Sequence, residues 1–138
     1  MMPAVFEGYL PYLGHRTYYR VVGDLEESLA SGRVPLVTLH GGPGSTHNYM
    51  ELLDCVADDG RAIVSYDQIG CGKSYLEGHP ELWDVETWLG ELEALVAWLN
   101  LRRFHLLGQS WGGMLALTYL TRHVATVGAD RGACSVVL

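Results

Sequence analysis

Phe104-His105-Leu106-Leu107-Gly108-Gln109-Ser110-Trp111-Gly112-Gly113-Met114-Leu115 is the stretch on which the fold turns. An apolar run short enough for a buried strand leads straight into Gly-x-Ser-x-Gly, and a helical pattern follows from Gly112 to about Arg122. The pentapeptide alone is weak, because about one chain in ten of this composition contains it by chance. Its place between strand and helix gives it meaning: small residues at 108 and 112 let the backbone reverse sharply, leaving the serine hydroxyl exposed above a sheet. Ser110 is therefore the candidate nucleophile, with Gly108, Gln109 and Gly112 supporting the elbow. A tight turn carrying an exposed serine of no function is the alternative.

Outward from the elbow, strands and helices alternate. Aromatic and β-branched residues from 5 to 22, broken at Gly14-His15, predict two antiparallel strands. Residues 23–33 are polar and read as weakly structured. Val34-Pro35-Leu36-Val37-Thr38-Leu39 is nearly all apolar, the pattern of a strand covered on both faces, with Pro35 leaving its start unpaired. Residues 47–58 fit a helix ended by Asp58-Asp59-Gly60, and Ala62 to Tyr66 a further buried strand. Asp84 is a good N-cap for a helix whose Val85, Trp88, Leu89, Leu92, Leu95, Val96 and Leu99 fall on one face. The helix after Ser110 is apolar on most sides, with Met114, Leu115, Leu117, Tyr119 and Leu120, and is expected to be buried. Ser135 to Leu138 look like one more strand beginning. The pattern is α/β: a mainly parallel sheet with an N-terminal antiparallel hairpin and flanking helices. No repeat, low-complexity segment or linker interrupts it.

His40-Gly41-Gly42-Pro43-Gly44 follows the strand ending at Leu39, so it lies at the carboxyl end of the sheet, where ligands of open α/β sheets bind. Its glycines let backbone N–H groups approach a reacting carbonyl, and with the N–H of Trp111 they form a candidate oxyanion hole. Gly42 is the expected loop donor and Gly41 the alternative; His40, Gly41, Pro43 and Gly44 shape the loop. A plain Gly-Pro turn is the competing reading.

Composition narrows the class. The 138 residues are 49% apolar and 18% charged, as in a globular core, and the net charge of −7 with no basic stripe speaks against nucleic acid as a partner. No apolar stretch approaches the roughly 20 residues that span a bilayer, and the first twenty show no secretory pattern, so a cytoplasmic location is expected. Cys55, Cys71 and Cys134 are scattered and suggest neither a disulfide framework nor a zinc site.

Taken in order, His40 to Gly44, Tyr66-Asp67-Gln68-Ile69-Gly70-Cys71-Gly72-Lys73-Ser74 and Gly108 to Gly113 resemble the proline iminopeptidases, or prolyl aminopeptidases, of the α/β-hydrolase fold. The likeness runs from about Gly8 to Leu120, and close relatives, amino-acid amidases among them, share it. It implies an enzyme that releases an N-terminal residue, preferentially proline, from a peptide or amide through an acyl-serine intermediate, without metal or organic cofactor. Gly70 to Ser74 also suggests a phosphate-binding loop, but that pattern requires glycine where Asp67 stands. A tight structural turn is expected instead, with Asp67 accepting backbone N–H bonds and Gln68 near the pocket rim.

The triad order in this fold is Ser, then Asp or Glu, then His. After Ser110 stand only His123 and Asp130, in the reverse order. His123 is thirteen residues along the elbow helix, about 20 Å away at 1.5 Å per residue. His40 tempts as a base but is read as a histidine that orients its loop; His15, His47, His79 and His105 have no ligand spacing. Residues 1–138 are thus expected to be the amino-terminal part of one incomplete α/β-hydrolase domain, inactive alone. The resemblance implies that later strands, the triad acid and base, and a cap gripping the substrate's α-amino group lie elsewhere. Val124 to Ala133 departs from the family, which usually has a histidine-proline turn there; a fragment, a mispredicted gene model or an altered reading frame would each explain it. A non-catalytic relic or partner-binding half-domain is the reading from another class, and no pattern announces an oligomeric state.

Overall fold

The computed structural model describes residues 3–125 and 132–138. Six strands form one sheet: β1 (Val5–Tyr12), β2 (His15–Val22), β3 (Leu36–Leu39), β4 (Ile63–Tyr66), β5 (Arg103–Gly108) and β6 (Gly132–Val137), in the order β1-β2-β4-β3-β5-β6. The β1–β2 hairpin is antiparallel and joins β4 antiparallel, while the pairs β3–β4, β3–β5 and β5–β6 are parallel. Successive strands leave β3 on opposite sides, so its carboxyl end is a topological switch point, where open α/β sheets form their crevice.

Period-two alternation along the strands separates two cores. Val21, Val37, Leu39, Val64, Phe104 and Leu106 pack with Leu89, Leu92 and Leu95 of α2 (Val85–Trp98) and Leu115 and Ala116 of α3 (Trp111–Arg122). Their neighbours Val22, Leu36 and Ile63 pack on the other face with Ala57, from a 3-10 segment spanning Asn48–Asp59. This segment is expected to be helical and is, but wound more tightly than an α-helix; Gly60 ends it at φ 88°. In α2 the Asp84 carboxylate accepts from Thr87 N at 3.0 Å, the cap foreseen.

Two expectations need correction. Residues 23–33 hold a short helix, α1 (Leu25–Ala30), capped by Asp24 at 2.9 Å from Glu27 N. Six residues are too few for a hydrophobic period to show. And α3 is not buried all round, since Met114 is 63% and Leu117 47% exposed. Its covered face is set by Gly112, Gly113, Leu115, Ala116 and Tyr119.

Candidate active site

β3 and β5 lie side by side in a register that sets Leu39 beside Gly108. The loop after β3 and the elbow after β5 therefore leave the sheet at neighbouring points. The elbow is tight: a Cβ on Gly108 would stand 2.2 Å from the carbonyl oxygen of Gly112, and one on Gly112 1.9 Å from that of Leu39. Only glycine fits either place. Ser110, between them, has φ 58° and ψ −119°, a sparsely populated conformation that costs about 1–3 kcal/mol and is held by its surroundings. The residue is exposed and stands at the N-cap position of α3 without a side-chain cap bond, so its hydroxyl shares its space with the positive end of the helix dipole.

In the facing loop, Gly42 and Gly44 have φ 125° and 108°, Gly41 is buried, and Gly42, Pro43 and Gly44 are exposed. Gly41 N donates to Tyr49 Oη at 2.6 Å. That leaves Gly42 as the better candidate for an N–H turned to a ligand. Tyr49 Oη in turn donates to Gln109 Oε1 at 2.9 Å, joining loop to elbow.

His40 is buried beneath the loop. Its Nε2 accepts from Gln68 N at 3.0 Å, so the proton lies on Nδ1, which donates to the carbonyl of Gly41 at 2.8 Å. Burial lowers its pKa against the opposing pull of that carbonyl, which keeps the ring neutral. Gln68 is fully buried rather than at the rim. Its amide donates to the carbonyl of His40 at 3.0 Å and accepts from Trp111 Nε1 at 2.9 Å, so it spans the two motifs from below. Above it Trp111, Trp88 and Trp83 meet edge to face at centroid separations of 5.3 and 5.4 Å.

Asp67 accepts from His47 N at 2.8 Å, His47 Nδ1 at 2.7 Å and Lys73 N at 3.0 Å. Burial alone would raise its pKa, but these bonds outweigh it and hold the carboxyl below its ordinary value. Ser74 Oγ donates to Asp67 O at 2.6 Å and accepts from Tyr18 N at 2.9 Å, so Gly70 to Ser74 is a structural turn with its hydroxyl already engaged.

The remaining histidines stand apart from Ser110. His15 meets His79 edge to face, His105 bonds Ser135 Oγ at 2.7 Å, and His123, the C-cap of α3, bonds Glu93 Oε1 at 2.9 Å. Asp130 lies outside the described residues. Among the described residues no group of His, Cys, Asp and Glu is arranged to hold a metal, all three cysteines are free, and no helix is long and apolar enough to cross a membrane.

The sequence profile of the alpha/beta hydrolase fold family matches residues 34–130. This chain belongs to the α/β-hydrolase family. Within that family it is 57% identical over 115 residues to the proline iminopeptidase of Clostridioides difficile (strain 630), covering 83% of this chain and 38% of that protein. It is 58% identical over 118 residues to the proline iminopeptidase of Lactobacillus crispatus (strain ST1), covering 84% and 39%. Among solved structures this α/β-hydrolase chain superposes on VinJ with a TM-score of 0.83 at 38% identity, over 97% of this chain and 43% of VinJ. It superposes on the proline iminopeptidase of Mycobacterium smegmatis with a TM-score of 0.79 at 33% identity, over 95% and 42%. The chain thus spans about two fifths of the length of these relatives.

Sequence reasoning missed Tyr49 and misplaced Gln68. Their bonds join residues 60 and 43 positions apart, and only the folded sheet brings such partners together. The closeness of Tyr49 to the glycine loop was the one available signal.

Proposed function

We propose that the complete protein containing this sequence is a serine aminopeptidase of the proline iminopeptidase type. The observation that carries this reading is the strained Ser110, at φ 58° on the N-terminus of α3, opposite the glycine loop after β3. Ser110 Oγ attacks the scissile carbonyl, and the backbone N–H groups of Gly42 and Trp111 receive the negative oxygen of the tetrahedral intermediate. Collapse expels the amine and leaves an acyl-serine, which water then hydrolyses. Serine, backbone dipoles and proton transfer suffice, so no metal or organic cofactor is called for.

Neither His40, whose ring nitrogens are both engaged, nor His123, bonded to Glu93, serves as base; acid and base come from outside this stretch. The 138-residue chain alone is therefore expected to be inactive. A peptide or amino-acid amide is the proposed substrate, an amino-acid amidase the variant reading, and the cytoplasm the proposed location; nucleic acid is not a proposed partner. In the complete protein, Ser110→Ala should lower turnover of a prolyl arylamide by several orders of magnitude. Retained turnover would refute the assignment, and comparing a prolyl dipeptide with prolinamide separates peptidase from amidase.

A further inference from the structure

We propose that Tyr49 is a positioning residue, a latch whose hydroxyl ties the oxyanion loop to the nucleophile elbow by bridging Gly41 N–H and Gln109 Oε1. The inference rests on the reading of Ser110 as nucleophile. Oη accepts at 2.6 Å and donates at 2.9 Å, using its one proton and one acceptor site. Each end holds the residue just before a reacting group: Gly41 precedes Gly42, and Gln109 precedes Ser110. The fit is close, since a Cβ on Gly41 would come within 2.9 Å of Gln109 Oε1 and 3.3 Å of Tyr49 Oη.

The loop needs such a tie. Gly42 to Gly44 are exposed, two of the three have positive φ, and glycine has the most conformational freedom to lose. An oxyanion donor works only if it is already fixed where charge develops, and an error of about 1 Å costs up to 100-fold in rate. The demand of folding on the hydroxyl is smaller, one acceptor for the Gly41 N–H. Tyr49 is 38% exposed and Gln109 is exposed too, so water can replace the hydroxyl at the Gln109 end when it is removed, while the buried Gly41 N–H loses its partner.

The test uses the complete protein with Tyr49→Phe beside Ser110→Ala. Tyr49→Phe should lower kcat for a prolyl arylamide by about 10- to 100-fold with KM within about twofold. Affinity for prolinal, which forms a tetrahedral adduct with the serine, should weaken in parallel, while inhibition by free proline stays unchanged. Gln109→Leu removes only the far end of the bridge and should reproduce the loss. The double variant should be no worse than either single one, a non-additivity that general destabilisation would not give. If Tyr49→Phe is poorly folded, Gln109→Leu decides: an equal loss in kcat supports the latch, and wild-type kcat overturns it. Wild-type kcat and prolinal affinity in Tyr49→Phe, with Ser110→Ala inactive, overturn the latch alone. Turnover by Ser110→Ala overturns the underlying reading instead.

Discussion

Glu91 is a carboxyl whose chemistry departs far from its surface norm. It is fully buried on α2, accepting from Thr17 Oγ1 at 2.5 Å and, through both carboxylate oxygens, from Ile69 N at 3.0 and 2.8 Å. Burial pushes its pKa from 4.5 up to about 8, more than those bonds pull it down. The folded protein therefore holds a proton there that the unfolded chain has released between about pH 4.5 and 8. Stability from this group is fully present below the lower value and lost as pH rises through the upper one. The thermal midpoint should accordingly fall from pH 6 to pH 8.5. Glu91→Gln, which can still accept from Ile69 and donate to Thr17, should flatten that slope; an undiminished slope in the variant would sink the idea. Asp67, held below its ordinary value, acts in the opposite sense and loses its contribution only in acid. One carboxyl supports Ile69 and the other the Gly70–Ser74 turn, so both serve the loop that carries Gln68 beneath the site.

At the scale of elements, the β1–β2 hairpin shows a local choice that the rest of the fold tolerates. Its two connecting residues, Leu13 and Gly14, both have positive φ, at 50° and 77°, as a type I′ turn requires. Gly14 suits that geometry and Leu13 does not, since its Cβ is strained there. Leu13 is 55% exposed, so its side chain contributes little packing in return. Leu13→Asn should therefore raise unfolding stability by about 0.5–1 kcal/mol in urea titration, and a loss would show that the leucine packs usefully. Such detail explains what was legible in the sequence. The long periodic helix α2 with its Asp84 cap, the strands, the elbow and the glycine loop each carry a signal within a few residues. The short α1, the 3-10 winding of Asn48–Asp59 and the bare face of α3 do not. The first is under two helical turns, too short for a period to repeat, the second shares its pattern with an α-helix, and the third depends on what packs alongside. The same division runs through the site. Ser110 and the loop glycines could be named from spacing, whereas the bridges made by Tyr49 and Gln68 form only when distant loops meet above and below the switch point.

For the whole molecule the covered and uncovered surfaces are unequal. β1 stands at one edge of the sheet, and at the other stands β6, with no strand beyond it among the described residues. Beside it lies an apolar field: Met114 and Leu117 on α3, then Val124, Val137 and Leu138, each between 47% and 72% exposed. α3 meets the residue that follows this strand, since a Cβ on Gly113 would lie 3.6 Å from Leu138 Cδ2. An open strand edge beside exposed apolar side chains favours association. Opposing it is the net charge of −7, which keeps like molecules apart when salt is low. Screening shortens that repulsion to about 8 Å at 0.15 M salt and leaves the apolar attraction in place. Sedimentation velocity of the 138-residue chain should therefore show self-association that increases with salt. Met114→Lys with Leu117→Glu, which leaves the buried face of α3 untouched, should shift the population towards monomer. A wild-type chain that stays monomeric in both low and high salt would mean that the hairpin-stabilised half of the sheet suffices, and that this face needs no cover.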